Sequence, residues 1–257
     1  MNWKFIILIT ILLFSSCAKH NKDDKTHNDL GSGDKSNLPV TLASLIEHAE
    51  YCKAIYDGGG DQKDEVAFEV KQDNGITIIV IRGTANEANV LSDIDVRLVS
   101  DAHTGIRMHK GFRDAAVTVM QIIDTSMTTS REITQEQTRT YPLEQTVHVT
   151  GHSLGGAVAQ IIGMWLHKRG KNVQIYSYGS PKVSDQVLSG GQPTHWRVVR
   201  RSDPIPFTPP WPYRHTGLFI DSQDLDWGPD NDNGLISETD GLDHAIAKYV
   251  ETLKLMK

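Results

Sequence analysis

The feature that most constrains this chain is the run Gly151-His152-Ser153-Leu154-Gly155, which matches the pattern G-x-S-x-G. Residues 146–150 before it alternate apolar and polar side chains, which predicts a strand. Residues 157–167 after it are apolar nearly all round and free of proline, and Lys168-Arg169-Gly170 ends the helix they predict. This context predicts a nucleophile elbow, a tight strand-to-helix turn that exposes the Ser153 hydroxyl. The alternative is a chance match in an ordinary strand–helix unit.

The 257 residues and the formal net charge of −6 allow one α/β domain with a substantial core. Asn74-Gly75 between strand patterns at 65–72 and 76–81 predicts a hairpin. The strand–helix–strand order around Ser153 predicts a right-handed parallel crossover. Further strands are predicted at 173–178, 196–200 and 215–220, and helices at 41–56, at 111–124 and from 244 or 245 to 255. We therefore expect an α/β-hydrolase fold: a mixed, mostly parallel sheet with an antiparallel N-terminal hairpin and helices on both faces.

The first 17 residues resemble a bacterial lipoprotein signal. An apolar run over residues 5–14, too short to span a bilayer comfortably, leads into Phe14-Ser15-Ser16-Cys17. The resemblance implies lipidation of Cys17 and an extracytoplasmic protein anchored to a bacterial (outer) membrane. An ordinary signal peptide, with Cys17 incidental, is the alternative. Residues 18–37 are polar and predict a flexible tether, so the folded domain is predicted to span 38–257.

A serine nucleophile needs a base and an acid that orients the base, and in α/β-hydrolases these follow the serine in the order acid, then histidine. Asp203 comes just after the predicted strand at 196–200 and is the candidate acid, with Asp185 as its competitor. His244 opens the last predicted helix and is the candidate base. His215 is the competitor, although it leaves little chain for a return to Ser153.

The tetrahedral intermediate also needs donors for its oxyanion. The backbone N–H of Leu154, directly after the nucleophile, is one candidate. Thr84 is the second, because Arg82-Gly83-Thr84 follows the apolar strand at 78–81. An ordinary turn at Gly83-Thr84 is the alternative.

The chain resembles the class 3 lipases, the family of fungal triacylglycerol lipases and related feruloyl esterases. The matching blocks are Ile81-Arg82-Gly83-Thr84, His109-Lys110-Gly111-Phe112, residues 149–157, Tyr178-Gly179-Ser180-Pro181-Lys182-Val183 and residues 201–206. The resemblance implies Ser153, Asp203 and His244 as a catalytic triad and Thr84 and Leu154 as oxyanion donors. It also implies a lid at 85–99, where Val90, Leu91, Ile94 and Leu98 share a possible helical face; a core-packing helix explains that pattern equally well.

Three further expectations concern cysteine, metal and partners. Cys52 lies in a helical apolar pattern and is predicted to be a core residue. The acidic stretch 221–243 matches no EF-hand spacing, so a solvated loop is favoured over a calcium site. We expect no metal or cofactor, no nucleic acid and no obligate protein partner; the expected partners are an ester substrate and a membrane.

The sequence thus predicts an extracytoplasmic serine hydrolase that cleaves carboxylic esters of lipids, a triacylglycerol lipase or esterase, through an acyl-enzyme. A phospholipase A1 or a short-chain esterase is the alternative within enzymes. A non-catalytic surface lipoprotein is the alternative from another class.

Overall fold

The computed structural model describes residues 32–58, 61–63, 66–83, 97–123, 141–186, 191–229 and 242–257. The predicted signal segment with Cys17, Thr84 and most of the predicted lid lie outside the described residues. Within the ranges just given, no helix has the length and apolar character needed to cross a bilayer.

An eight-stranded sheet forms the centre of the molecule. Its strands are β1 (Asp61–Lys63), β2 (Val66–Asp73), β3 (Ile76–Ile81), β6 (Thr146–His152), β7 (Asn172–Tyr178), β8 (Thr194–Val199), β9 (Leu218–Asp221) and β10 (Trp227–Pro229), in that spatial order. Strands β3 and β6 to β9 are parallel, whereas β1–β2, β2–β3 and β9–β10 pair antiparallel. The predicted mixed sheet with an N-terminal hairpin is confirmed.

The turn between β2 and β3 follows from two residues. Asn74 has φ 47° and Gly75 has φ 77°, so both central positions are left-handed. This is the type I′ geometry, whose twist matches that of the flanking strands. The turn pairs Asp73 with Ile76 and thereby sets the register of the hairpin.

In the described part of the chain, four α-helices cover the two faces of the sheet: α1 (Leu42–Ala54), α2 (Lys110–Ile123), α3 (Leu154–Lys168) and α4 (Ile246–Leu255). Thr41 caps α1, since its side chain accepts a hydrogen bond from the Ser44 N–H at 3.1 Å. Helices α2 and α3 share one apolar core with β3 and β6, and α1 and α4 share a second core with β7 to β9. Helices on both faces are as predicted.

Strand β6 presents different chemistry to these two cores. Val147 and Val149 are fully buried in the core of α2 and α3. The alternate residues of β6 face α1 and its 3₁₀ extension, Ile55–Asp57. Each makes a polar contact there, and the successive partners are four residues apart. The contacts are His48 Nε2 to His148 Nδ1 (3.1 Å), Cys52 Sγ to Thr150 Oγ1 (3.2 Å) and the Tyr56 hydroxyl to His152 Nδ1 (2.9 Å). These three pairs form the α1–β6 ladder.

The structure differs from the sequence prediction in several places. One is β10 (Trp227–Pro229), which lies in the stretch 221–243 that was predicted to be a solvated loop. Gly33 exchanges backbone hydrogen bonds with Trp227, so contacts with the domain begin before residue 38. Leu98 lies in β4 (Leu98–Ser100), which pairs with β5 (Arg107–His109), and not on a helix with Val90. The strand predicted at 215–220 begins only at Leu218, because Gly217 has φ 101°, outside the β region.

Candidate active site

The turn between β6 and α3 holds Ser153 in a backbone conformation that is rare for a residue with a side chain. Its φ is 58° and its ψ is −130°, and its N–H donates to the Tyr178 carbonyl at 2.9 Å. A Cβ on Gly151 would collide with the Gly155 carbonyl, and one on Gly155 would collide with the Ile81 carbonyl. Both glycines of the G-x-S-x-G run are therefore required for this turn to close.

The structure brings together Ser153, His244 and Asp203, which come from three separate parts of the chain. His244 Nε2 lies 2.7 Å from Ser153 Oγ, and His244 Nδ1 lies 2.8 Å from Asp203 Oδ2. A carboxylate only accepts, so Nδ1 carries the hydrogen and Nε2 is left to accept the serine proton. All three side chains are buried. This geometry allows a histidine to activate a serine while an acid orients the histidine.

Asp203 is held by two further donors. The Ile205 N–H donates to Oδ1 at 2.9 Å, and the Tyr249 hydroxyl donates to Oδ2 at 2.6 Å. Burial, and then the neighbouring Asp203, raise the pKa of Tyr249 well above its usual value, so the phenol stays a donor. Sequence reasoning missed Tyr249. The available signal was a tyrosine on the buried apolar face of the last helix, where its hydroxyl needs a partner.

The two competing residues serve elsewhere. Asp185 forms an ion pair with Arg107. His215 is buried and its Nε2 donates to the Pro206 carbonyl. Burial, and then the charge of Arg197, lower the pKa of His215 well below its usual value. Neither residue takes the place of Asp203 or His244 beside Ser153.

Of the two oxyanion donors predicted, the structure describes one. Leu154 is the first residue of α3, so its N–H is among those that lack an intrahelical partner. It lies at the positive end of the helix, directly after Ser153. Thr84 lies outside the described residues, but Gly83 before it packs against the elbow: a Cβ on Gly83 would meet the His152 carbonyl and the Tyr56 hydroxyl.

His152 connects the elbow to the base. Its Nε2 lies 2.6 Å from the backbone carbonyl of His244, and its Nδ1 lies 2.9 Å from the Tyr56 hydroxyl. Burial lowers the pKa of His152 well below its usual value, and the facing His244 lowers it further. The His152 ring is therefore neutral.

The remaining candidates have structural contacts. Cys52 is buried in the α1 core as predicted, and burial raises the pKa of its thiol to about 12. In the acidic stretch, Asp221 and Asp224 both form ion pairs with Arg201, and residues 230–241 lie outside the described ranges. Among the side chains that the structure describes, no group of three or more His, Cys, Asp or Glu residues is arranged to hold a metal ion.

With this geometry established, comparison with known proteins identifies the family. Residues 78–213, more than half of the 257-residue chain, match the family described as Lipase (class 3). This chain belongs to the class 3 lipase family. The resemblance seen in the sequence blocks is confirmed.

Two fungal relatives show the extent of the similarity. Secreted mono- and diacylglycerol lipase 1 of Fusarium solani is 32% identical over 158 residues, which cover 58% of this chain and 45% of that protein. The lipase of Rhizomucor miehei is 33% identical over 160 residues, covering 57% of this chain and 41% of that protein. The matched stretch of this class 3 lipase family member spans less than half of either relative.

Solved structures show the same fold. The nonglycosylated LIP2 lipase of Yarrowia lipolytica superposes with a TM-score of 0.54 at 19% identity, covering 82% of this chain and 92% of that one. The native lipase–propeptide complex of Rhizomucor miehei gives a TM-score of 0.52 at 22% identity, covering 87% and 81%. The α/β-hydrolase fold predicted for this family member is therefore confirmed.

Proposed function

We propose that this protein hydrolyses carboxylic esters of lipids, with Ser153 as nucleophile, His244 as base and Asp203 as the acid that orients it. The observation that carries the proposal is the continuous hydrogen-bonded chain from Ser153 Oγ through both ring nitrogens of His244 to Asp203. Such a chain lets a neutral hydroxyl act as a nucleophile without a metal ion.

In the first half of the reaction, Ser153 Oγ attacks the ester carbonyl carbon while its proton passes to His244 Nε2. The resulting imidazolium keeps its Nδ1–H on Asp203, whose negative charge stabilises it. Charge develops on the former carbonyl oxygen, and the N–H groups of Leu154 and Thr84 are the donors we assign to it. Collapse of this intermediate breaks the C–O bond, and His244 gives its proton to the departing alcohol.

The second half repeats these steps with water. The acyl group is now an ester of Ser153, and His244 takes a proton from the attacking water. The second intermediate releases the fatty acid and returns the proton to Ser153 Oγ. The buried Asp203, held by Ile205, Tyr249 and His244, keeps one orientation throughout, so the imidazole does not need to be repositioned between the steps.

One surface feature supports a lipid ester over a soluble one. Trp211 is 83% exposed, on a loop over residues 208–214 that follows Asp203. The loop is held at both ends, since the Lys182 N–H donates to the Thr208 carbonyl and the Arg214 N–H donates to the Ser184 carbonyl, each at 2.7 Å. An exposed indole on a loop held at both ends is suited to the interface between water and lipid, where its ring and its N–H are both satisfied.

The location is part of the same proposal. We propose that the protein is extracytoplasmic and is held on a bacterial (outer) membrane by lipidation of Cys17. The run Phe14-Ser15-Ser16-Cys17 supports this, and the Fusarium solani relative is named a secreted lipase. Metabolic labelling with a fatty acid tests it: label should enter the chain and be lost in Cys17→Ser.

The decisive experiment for the chemistry is labelling with a fluorophosphonate, which reacts with activated serines. The wild-type protein should be labelled, Ser153→Ala should not, and Ser100→Ala, an exposed serine in β4, is the matched control that keeps the label. An unlabelled wild-type protein contradicts the proposal and favours a non-catalytic binding role.

Substrate class is tested with emulsified triacylglycerol, phospholipid vesicles and a short soluble ester. Trp211→Ala should lose activity on the emulsion and keep activity on the soluble ester, whereas Leu255→Ala, which removes the other strongly exposed apolar residue among those described, should affect neither. A preference for phospholipid or for the soluble ester would instead assign a phospholipase A1 or a short-chain esterase.

A further inference from the structure

His152, directly before the proposed nucleophile, uses both of its ring nitrogens in hydrogen bonds. Its Nε2 is 2.6 Å from the carbonyl oxygen of His244, and this oxygen can only accept, so Nε2 carries the hydrogen. Nδ1 is then an acceptor, and the Tyr56 hydroxyl donates to it over 2.9 Å. The two partners together fix a single tautomer of the His152 ring.

This contact adds a third hold on His244. Its side chain is fixed by Ser153 and Asp203, and its backbone is fixed by His152, whose ring centroid lies 4.6 Å from that of His244. His244 ends a 3₁₀ turn, Leu242–His244, on the loop before α4, and not a regular strand or helix. The His152 bond ties this turn directly to β6, which carries Ser153.

We propose that His152 is a positioning residue that sets the distance between His244 Nε2 and Ser153 Oγ, and that Tyr56 maintains the His152 tautomer needed for this. The inference rests on the proposed hydrolysis by Ser153 and assigns a role to two residues that the proton transfers do not use. It connects α1, through Tyr56 and His152, to the alignment of the base His244.

The surroundings of His152 support the assignment. The titratable groups that face it are Tyr56, His244 and Tyr249, the last with a ring centroid 6.0 Å away. Burial and the facing His244 hold the pKa of His152 well below its usual value, so the ring stays neutral while His244 gains and loses a proton. A protonated His152 would have no acceptor left for the Tyr56 hydroxyl.

The α1–β6 ladder explains why Tyr56 arrives at the correct position. Cys52 lies one helical turn earlier and contacts Thr150, two residues before His152. A helix rises about 6 Å over four residues and a strand rises about 6.6 Å over two, so successive contacts stay in step. Gly83 leaves room for the Tyr56 hydroxyl, because a Cβ at this position would collide with it.

The test compares two replacements of His152 on a soluble ester. His152→Phe keeps a ring but removes the donor, and a shift of His244 by about 1 Å would lower kcat on the order of 100-fold. KM should change little, because the acyl site is untouched. His152→Gln places an amide N–H near the position of Nε2 and should recover most of the lost kcat. Tyr56→Phe removes only the hydroxyl and should lower kcat by a smaller factor, again without a change in KM.

His195→Phe is the matched control, because His195 is also a buried histidine, with its Nε2 2.7 Å from the Ser177 hydroxyl, and it lies outside the α1–β6 ladder. It should lower the melting temperature and leave kcat unchanged. Active sites are counted by fluorophosphonate titration, so that kcat refers to folded enzyme. A wild-type kcat in both His152→Phe and Tyr56→Phe, or equal losses in the Phe and Gln variants, would overturn the inference. Failure of the proposed function shows separately, as an unlabelled wild-type protein.

Discussion

The two faces of β6 solve the same burial problem in opposite ways. Toward α2 and α3 the strand presents Val147 and Val149, which need only to exclude water. Toward α1 it presents His148, which is half-buried, and the buried Thr150 and His152, and each of the three has a polar partner on α1 or its 3₁₀ extension. The first face accepts apolar side chains of the correct volume, while the second needs polar partners at fixed positions.

The difference shows which contacts set the register between a helix and the sheet in this fold. Apolar packing brings a helix to the correct face of the sheet but permits small shifts along it. A row of hydrogen bonds allows only one register, because any slip leaves buried polar groups without partners. The face of β6 that sets the register ends at His152, directly before Ser153.

The largest expected effect is the pH dependence of stability that His48, opposite the polar face of β6, adds to the protein. Burial lowers the pKa of His48 from 6.5 to about 4; it faces His148 of β6, Tyr176 of β7 and Tyr51 of its own helix. As the pH falls, His48 takes up a proton in the unfolded chain before it does so in the folded protein. The contribution of neutral His48 to stability is therefore complete above pH 6.5 and is lost as the pH falls through about 4. The loss attributable to His48 is about 3 kcal/mol at most.

Denaturant unfolding at pH 7 and at pH 4.5 measures this loss. The dependence should be shallower in His48→Phe than in the wild type, since the other buried histidines titrate in both proteins. Equal slopes for the two proteins would show that His48 is not held neutral by its burial.

Val149→Thr tests the apolar face. The change keeps the shape of the side chain but adds a hydroxyl in the apolar core between β6 and α3. We expect the free energy of unfolding to fall by about 2 kcal/mol, the cost of burying an unpaired hydroxyl. Urea denaturation measures it, and an unchanged midpoint would mean that this face tolerates polar groups as well.

Thr150→Val is the reciprocal change on the neighbouring residue and the opposite face. It keeps the volume but removes the contact of Oγ1 with Cys52 Sγ and the long hydrogen bond, 3.5 Å, from Oγ1 to the His48 carbonyl. Because a thiol is a weak partner and the bond to the carbonyl is long, we expect a loss of no more than about 1 kcal/mol. A loss larger than that of Val149→Thr would reverse the comparison.

The smallest effect concerns the reactivity of Cys52 at the middle of the ladder. Burial raises the pKa of its thiol to about 12, so the thiolate is scarce at pH 8. In a Cys17→Ser chain, where Cys52 is the only thiol, a disulfide reagent should react slowly with the folded protein and fully after unfolding. Rapid labelling of the folded chain would indicate that the ladder opens.

Local patterns made much of this structure predictable. The Asn74-Gly75 turn and the elbow at Ser153 each depend on a few consecutive residues. Its place just after a predicted strand favoured Asp203 over Asp185, and the longer return of the chain favoured His244 over His215; the structure places the favoured pair beside Ser153. The roles assigned to these residues stay predictions until they are measured.

The ladder was not predictable from such patterns. Alternation over residues 146–150 indicated a strand but not which helix would cover its polar face. The partners lie far away, with 96 positions separating Tyr56 from His152 and 100 separating His48 from His148. The one sequence signal was the spacing of His48, Cys52 and Tyr56 on a single helical face, which gains meaning only when the strand opposite is known.

The two edges of the central sheet also bear on how copies of this protein meet. Among the described strands, the two at the edges, β1 and β10, are three residues long, and β10 ends in Pro229, which has no backbone N–H. The backbone N–H and carbonyl of Trp227 are already hydrogen-bonded to Gly33. Short, partly occupied edges give another chain few groups with which to continue the sheet. The fold is therefore protected against strand-by-strand aggregation even where many copies are crowded together.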